Sequence, residues 1–180
     1  CALPIFAGAA LAIMAWSVRH SNELPDLAPL TSYPNKQALF EHSHHQLSNC
    51  PAVPRVIVIG AGGRCGRGAA ELFRELDVDL TLWDLEETRD GGPFEQILEY
   101  DIFVNCVFVS TRIPPFLTSE LLARPRHLSI ICDVSCDPSG ELNPLPIYNR
   151  CTTFADPLQR VAEGENPLDL IAIDHLPSLL

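Results

Sequence analysis

The sequence predicts an α/β fold, a doubly wound parallel sheet preceded by an inter-domain helical segment. Three observations predict it. Short, nearly unbroken apolar runs recur at residues 56–59, 80–84, 101–109, 129–134 and 170–174, and strands apolar on both faces belong to parallel sheets covered on both sides. Helical patterns stand between several of these runs, the alternation expected of an open α/β sheet. The first run passes directly into a glycine-rich turn and then a helix, so strand, turn and helix form one unit.

The elements follow in order. Residues 1–16 are almost wholly apolar, and Ala7, Gly8, Ala9, Ala10 and Ala12 suit a helix packed tightly on a neighbour. A helix apolar all round is normally buried, so residues 6–18 are expected to need cover from protein outside this chain. Residues 21–35 read as a polar connector, 36–47 as a short surface helix with Ala38, Leu39 and Phe40 inward, and 49–54 as a linker. The strand at 56–59 leads through the glycines to a helix with Leu72, Phe73 and Leu76 on one side. A strand at 80–84, a short helix at 94–98 and a third strand at 101–109 come next. Thr118 or Ser119 caps a helix through Ala123. A fourth strand at 129–134 precedes a proline-bearing loop, then a short strand at 151–154 and a last strand at 170–174, with His175 at its carboxyl end. The division expected is residues 1–50 as a helical and linker segment and 51–180 as the sheet domain.

Composition narrows the function. A net charge of −11 excludes nucleic acid and anionic membrane surfaces as partners. Seven cysteines without paired spacing suit a reducing, cytoplasmic compartment. Cys132 and Cys136 stand four apart, neither a zinc knuckle nor a redox pair, and His42, His44 and His45 read as a polar helix face, so no metal is expected.

In the turn, Gly60, Gly63 and Gly66 fit G-x-x-G-x-x-G, with Gly62 and Gly68 as extras, since Cys65 occupies the sixth position of the commoner pattern. Glycines let backbone approach a pyrophosphate, and the helix start offers free N–H groups and a positive dipole end. Asp84 ends the second strand, where an acid meets a ribose 2′-hydroxyl and repels the extra phosphate of NADP. NAD is therefore the expected cofactor of a Rossmann-like domain. Ligands of such sheets sit off the carboxyl ends of the strands, which here selects the turn, Asp84, Phe108, residues 134–137 and residues 174–176.

The stretch Ile59-Gly60-Ala61-Gly62-Gly63-Arg64-Cys65-Gly66 resembles the fungal-type, NAD-dependent, lysine-forming saccharopine dehydrogenases. The likeness continues at Trp83-Asp84-Leu85-Glu86-Glu87-Thr88, Gly91-Gly92-Pro93-Phe94, Asp101-Ile102-Phe103-Val104-Asn105-Cys106, Asp133-Val134-Ser135 and Asn143-Pro144-Leu145-Pro146-Ile147-Tyr148. It ends on Ile173-Asp174-His175-Leu176-Pro177-Ser178-Leu179-Leu180 and reaches back to Phe6. The resemblance implies oxidation of saccharopine to an imine that water opens to L-lysine and 2-oxoglutarate. It implies Gly63 and Arg64 along the pyrophosphate, Asp84 on the adenosine ribose with Thr88 close by, and Phe108 against the cofactor. Phenylalanine there keeps the ring and lacks the hydroxyl of the family's tyrosine. Val134 lines the nicotinamide side, and Ile173, Asp174, His175 and Leu176 hold that end. Ser135, Cys136 and Asp137 face the substrate.

The family's acid–base lysine and histidine lie upstream of the matched part. The only lysine here, Lys36, falls in a surface segment, so no catalytic residue is assigned, His175 being read as a strand-end group. The resemblance thus implies a C-terminal cofactor-domain fragment, inactive alone, whose partner is the N-terminal domain of the same enzyme, in the cytoplasm or the peroxisome. An alanine-dehydrogenase-like enzyme and a non-catalytic NAD-binding or redox-sensing domain stay open beside it. Cys65, at the start of the turn's helix, and Cys106, on the third strand, are expected to meet beneath the pyrophosphate, either as a pair able to form a disulfide where their Cα atoms are close enough or as two buried, small apolar residues.

Overall fold

The computed structural model describes residues 3–21, 27 and 29–174. In chain order the elements are α1 (Leu3–His20), α2 (Lys36–Ser48), β1 (Arg55–Ile59), α3 (Arg64–Glu75), β2 (Asp79–Trp83), α4 (Leu85–Thr88), a 3₁₀ turn (Glu95–Glu99), β3 (Ile102–Asn105), α5 (Ser119–Leu122), β4 (Ile130–Asp133), β5 (Gln159–Ala162) and β6 (Leu168–Ile171). The strands form one sheet in the order β2-β1-β3-β4-β6-β5. All neighbours run parallel except β5, which lies antiparallel on β6 at the edge. This is an α/β, Rossmann-like fold.

Register makes the carboxyl ends level. Ile59 pairs with Trp83 on one side and Asn105 on the other, and Asn105 pairs with Asp133. The chain runs from β1 out to β2 and returns to β3 on the far side of β1. That reversal opens a crevice at the carboxyl ends of β1 and β3, the place where such sheets bind ligands.

The strands alternate between two cores, as a period of two requires. Val56, Val58, Ile102, Val104, Ile130 and Cys132 face α1 and α3. Ile57, Ile59, Phe103, Ile131 and Leu170 face the other way, onto Ile97, Phe116, Leu121, Leu122 and Tyr148.

The expectation that residues 6–18 need cover from outside is corrected. Phe6, Leu11, Ile13, Met14 and Trp16 are each 2% exposed or less, and the alanines between them are 3% exposed or less. The cover comes from this chain, for α1 lies on the sheet and shares one core with Leu39 of α2 and Leu72 and Phe73 of α3. The small residues allow that approach, and the all-apolar helix is buried as its composition demands. Its last turn is pinned to the sheet. Arg19 donates to Ser129 O (2.8 Å) and Pro167 O (2.6 Å) and pairs with Asp169, which Arg160 Nε also reaches at 2.5 Å.

Other boundaries moved for local reasons. β3 ends at Asn105, not Val109, because the Val107 N–H turns to Asn105 Oδ1 (3.2 Å). The last strand lies earlier than 170–174, at Leu168–Ile171. Residues 151–154 contribute one parallel bridge, Thr152 to Ile173, rather than a strand. β5 and α4 were not foreseen. Thr118 is the cap of α5, its Oγ1 accepting from Leu121 N at 3.2 Å. Among the described residues no helix is long and apolar enough to cross a membrane.

Candidate functional site

The glycine turn is shaped by three close approaches. Gly60 has φ +87°, and a Cβ there would lie 2.9 Å from the Cys106 carbonyl carbon. A Cβ on Gly66 would lie 2.2 Å from Gly60 O, so only glycine lets α3 start this near the turn. A Cβ on Gly62 would lie 2.0 Å from Asp84 Oδ2. The spacing that matters is therefore Gly60, Gly62 and Gly66, and Gly62 belongs to the working set rather than to the extras. Gly63 precedes α3 as its cap residue and offers no side chain to the first N–H groups. Arg64 opens α3 and is exposed. The N–H groups of Gly60 and Ala61 both donate to Trp83 O, at 2.9 and 3.0 Å, which ties the turn to the end of β2.

Asp84 follows β2 and is exposed. Its N–H donates to Glu87 Oε2 (2.7 Å), and its carbonyl accepts from the buried Thr88 hydroxyl (2.8 Å). Thr88 thus fixes the backbone that carries Asp84. Across the crevice, Phe108 stands 87% exposed beyond β3. Cys106 is buried and Cys65 half-buried, and both are free thiols. Burial, then the neighbouring Cys65 and Asp133, push the Cys106 thiol far up, so it stays protonated.

At the ends of β3 and β4 lies a polar cluster that reading the sequence did not assign to the site. Asn105 Nδ2 donates to Asp133 Oδ1 (2.9 Å), and the Tyr148 hydroxyl donates to Asp133 Oδ2 (2.7 Å). Asp133 is 1% exposed. Burial raises its carboxyl above the ordinary range, against the pull of the bonds from Tyr148, Asn105 and Ser135 N–H. Burial and Asp133 likewise push the Tyr148 hydroxyl up. The signal was present: Asn105 and Asp133 each lie at the end of an otherwise apolar strand core.

Val134, Ser135 and Cys136 are half-buried beyond β4, with Asp137 exposed. Burial, followed by Cys151 and Asp133, pushes the Cys136 thiol up to about 12, which leaves it protonated and a poor nucleophile near neutral pH. Ile173 is buried at its bridge to Thr152, and Asp174 is the last described residue. His175 and Leu176 lie outside the described residues. The fold therefore gathers Gly63, Arg64, Asp84, Thr88 and Phe108 about the ends of β1, β2 and β3, and residues 134–137 with 173–174 about the ends of β4 and β6.

The arrangement fits a dinucleotide. It has a cradle that side chains would fill, a helix start without a side-chain cap, a carboxylate beside the cradle and an exposed aromatic ring opposite. A separate groove, bordered by Leu122, Arg126, Val161 and Asn166, opens by the amino ends of β4 and β6. It lacks these features.

Known proteins of one name align with nearly the whole chain. It is 44% identical to the saccharopine dehydrogenase (NAD(+), L-lysine-forming) of Emericella nidulans. It is 43% identical to the proteins of that name from Schizosaccharomyces pombe and Neurospora crassa. Each match takes in 97% of this chain and 50% of the relative. The chain spans about half the length of the curated relatives it matches. No protein-family model matches it.

Proposed function

We propose that this chain, a relative of the NAD(+)-dependent, L-lysine-forming saccharopine dehydrogenases along nearly its whole length, supplies the cofactor-binding part of such an enzyme. Residues 51–180 form the NAD unit in this reading, and residues 1–50, whose helix α1 packs on its sheet, join it to an upstream domain. The parent enzyme oxidises saccharopine with NAD to an imine, which water opens to L-lysine and 2-oxoglutarate, in the cytoplasm.

Bound NAD would supply the hydride acceptor. This chain's residues bind, orient and exclude water. Gly63 and Arg64 lie along the pyrophosphate at the start of α3. Asp84 takes the adenosine ribose hydroxyls, with Thr88 steadying its backbone, and Phe108 offers a ring face. Val134 borders the nicotinamide side with Ile173, Asp174, His175 and Leu176, while Ser135, Cys136 and Asp137 face the substrate. The acid–base groups belong to the other half of the enzyme. Neither an alanine-dehydrogenase-like activity nor a non-catalytic sensing role draws support from the relatives.

The observation that carries this reading is the Asp84 carboxylate packed against Gly62 at the mouth of the glycine cradle. A carboxylate there receives two ribose hydroxyls and repels a 2′-phosphate. Fluorescence titration of the chain should show NADH binding in preference to NADPH. Asp84→Ala should loosen NADH and narrow the gap; tighter binding of NADPH by the wild type would overturn the assignment. No saccharopine turnover is expected from the chain alone, and NADH formation at about 1 s⁻¹ or faster would place acid–base groups within it.

A further inference from the structure

We infer that Asn105, Asp133 and Tyr148 are positioning residues for the nicotinamide side of the crevice. The inference rests on the NAD reading above. Asn105 and Asp133 are register partners at the last paired positions of β3 and β4, and they are 0% and 1% exposed. The two strands continue into the segments that carry Phe108 and residues 134–137. Segments leaving a sheet are its most mobile parts, yet hydride transfer demands a fixed nicotinamide.

One buried carboxylate gathers those segments. Asp133 Oδ1 accepts from Asn105 Nδ2 (2.9 Å) and from Ser135 N–H (3.2 Å), and Oδ2 accepts from the Tyr148 hydroxyl (2.7 Å). Asn105 relays the hold, for its Oδ1 accepts from Val107 N–H (3.2 Å) and its carbonyl from Val134 N–H (3.0 Å). Tyr148 brings the end of the 134–148 loop back onto the same group. The backbone beside Phe108, at Val134 and at Ser135 is thus set by a single cluster.

Apolar side chains would fill this space with less cost, since burying an ionisable carboxylate is unfavourable unless its bonds are needed. The cluster lies on the β3–β4 side of the crevice, whereas Asp84 and the turn lie on the β1–β2 side. Its loss should therefore weigh most on the nicotinamide half of the cofactor.

The test compares NADH with ADP-ribose, which keeps the adenosine and pyrophosphate and lacks the nicotinamide, by titration of the full chain. Asp133→Ala and Tyr148→Phe should weaken NADH by about tenfold while ADP-ribose changes less than about twofold, the scale of losing bonds to a charged group. Asp133→Asn keeps an acceptor for Asn105 and Ser135 and should retain most NADH affinity. Equal losses for both ligands, or no loss for NADH, would reduce the cluster to a stabilising role and overturn the inference while leaving NAD binding intact. A wild-type chain that binds neither ligand would overturn both. Should Asp133→Ala fail to fold, Tyr148→Phe, which removes one hydroxyl, decides the matter.

Discussion

Asp84 Oδ2 stands 2.0 Å from the point at which Gly62 would carry a Cβ. The first strand's turn and the second strand's terminal acid are thus fitted to each other before any ligand arrives. Gly62→Ala should push the Asp84 side chain aside and weaken NADH by about 1–2 kcal/mol, the scale of a charge-assisted hydrogen bond. The fold should be spared, because both residues are exposed. Calorimetric titration beside a thermal melt checks this, and unchanged NADH affinity would separate Asp84 from the ribose.

Cys65 and Cys106 are expected to respond to oxidant. The Cys106 thiol is held protonated by burial, so attack on a disulfide reagent falls to the more open Cys65. Oxidised glutathione should bridge the two, the reagent taking up their electrons, and tighten the turn against the pyrophosphate. NADH affinity should then fall and recover with dithiothreitol. Cys106→Ser should abolish the difference; a persistent difference would assign it to another thiol.

Asp169 is expected to matter more to stability than its place far from the crevice suggests. It is 6% exposed and pairs with both Arg19 and Arg160. Asp169→Ala leaves the half-buried Arg19 its two carbonyl acceptors but no counter-charge, and should cost about 2–3 kcal/mol. Arg160→Ala removes the more exposed partner and should cost about 1 kcal/mol or less. Urea denaturation of the two variants gives the ranking, and equal costs would contradict it.

The pH response of Asp133→Asn should have a fixed sign. Burial sets the folded carboxyl value above the unfolded one, ordinarily 3.8. The stability associated with that proton is full below the unfolded value and is lost as pH rises through the folded one. The amide has no such titration. The variant's stability relative to the wild type should rise as pH climbs above about 4 and level off once Asp133 is ionised. Urea midpoints across a pH series test this; a difference that moves the other way with rising pH would contradict the raised value.

Much of the fold was legible because two-sided burial leaves a plain mark. Ile57, Val58 and Ile59, or Ile130 and Ile131, have no polar neighbour to place on an open face, and they are the sheet's centre. β5 was illegible for the opposite reason. Gln159-Arg160-Val161-Ala162 is an edge strand in which only part of each residue is covered, so little apolar pattern is required. The enclosure of α1 could be foreseen, but the origin of its cover could not, since composition says that a helix is buried and not by what. In the site, Asp84 was readable from its place after a strand. Gly62's role depends on a contact across 22 positions of sequence, and the Asn105–Asp133–Tyr148 cluster on register between strands, neither of which is written locally.

The turn's attachment to Trp83 gives the molecule an optical property. There are two tryptophans. Trp16 is sealed within α1, 2% exposed and stacked on His20. Trp83 is half-buried at the crevice, its carbonyl holding both turn amides and its ring set edge-on to Phe94. Indole emits light of the colour that a dihydronicotinamide absorbs, and transfer between them fades steeply with distance. The crevice thus contains its own lamp: dimming of tryptophan emission, Trp83 foremost, would reveal an arriving reduced cofactor without any label being attached.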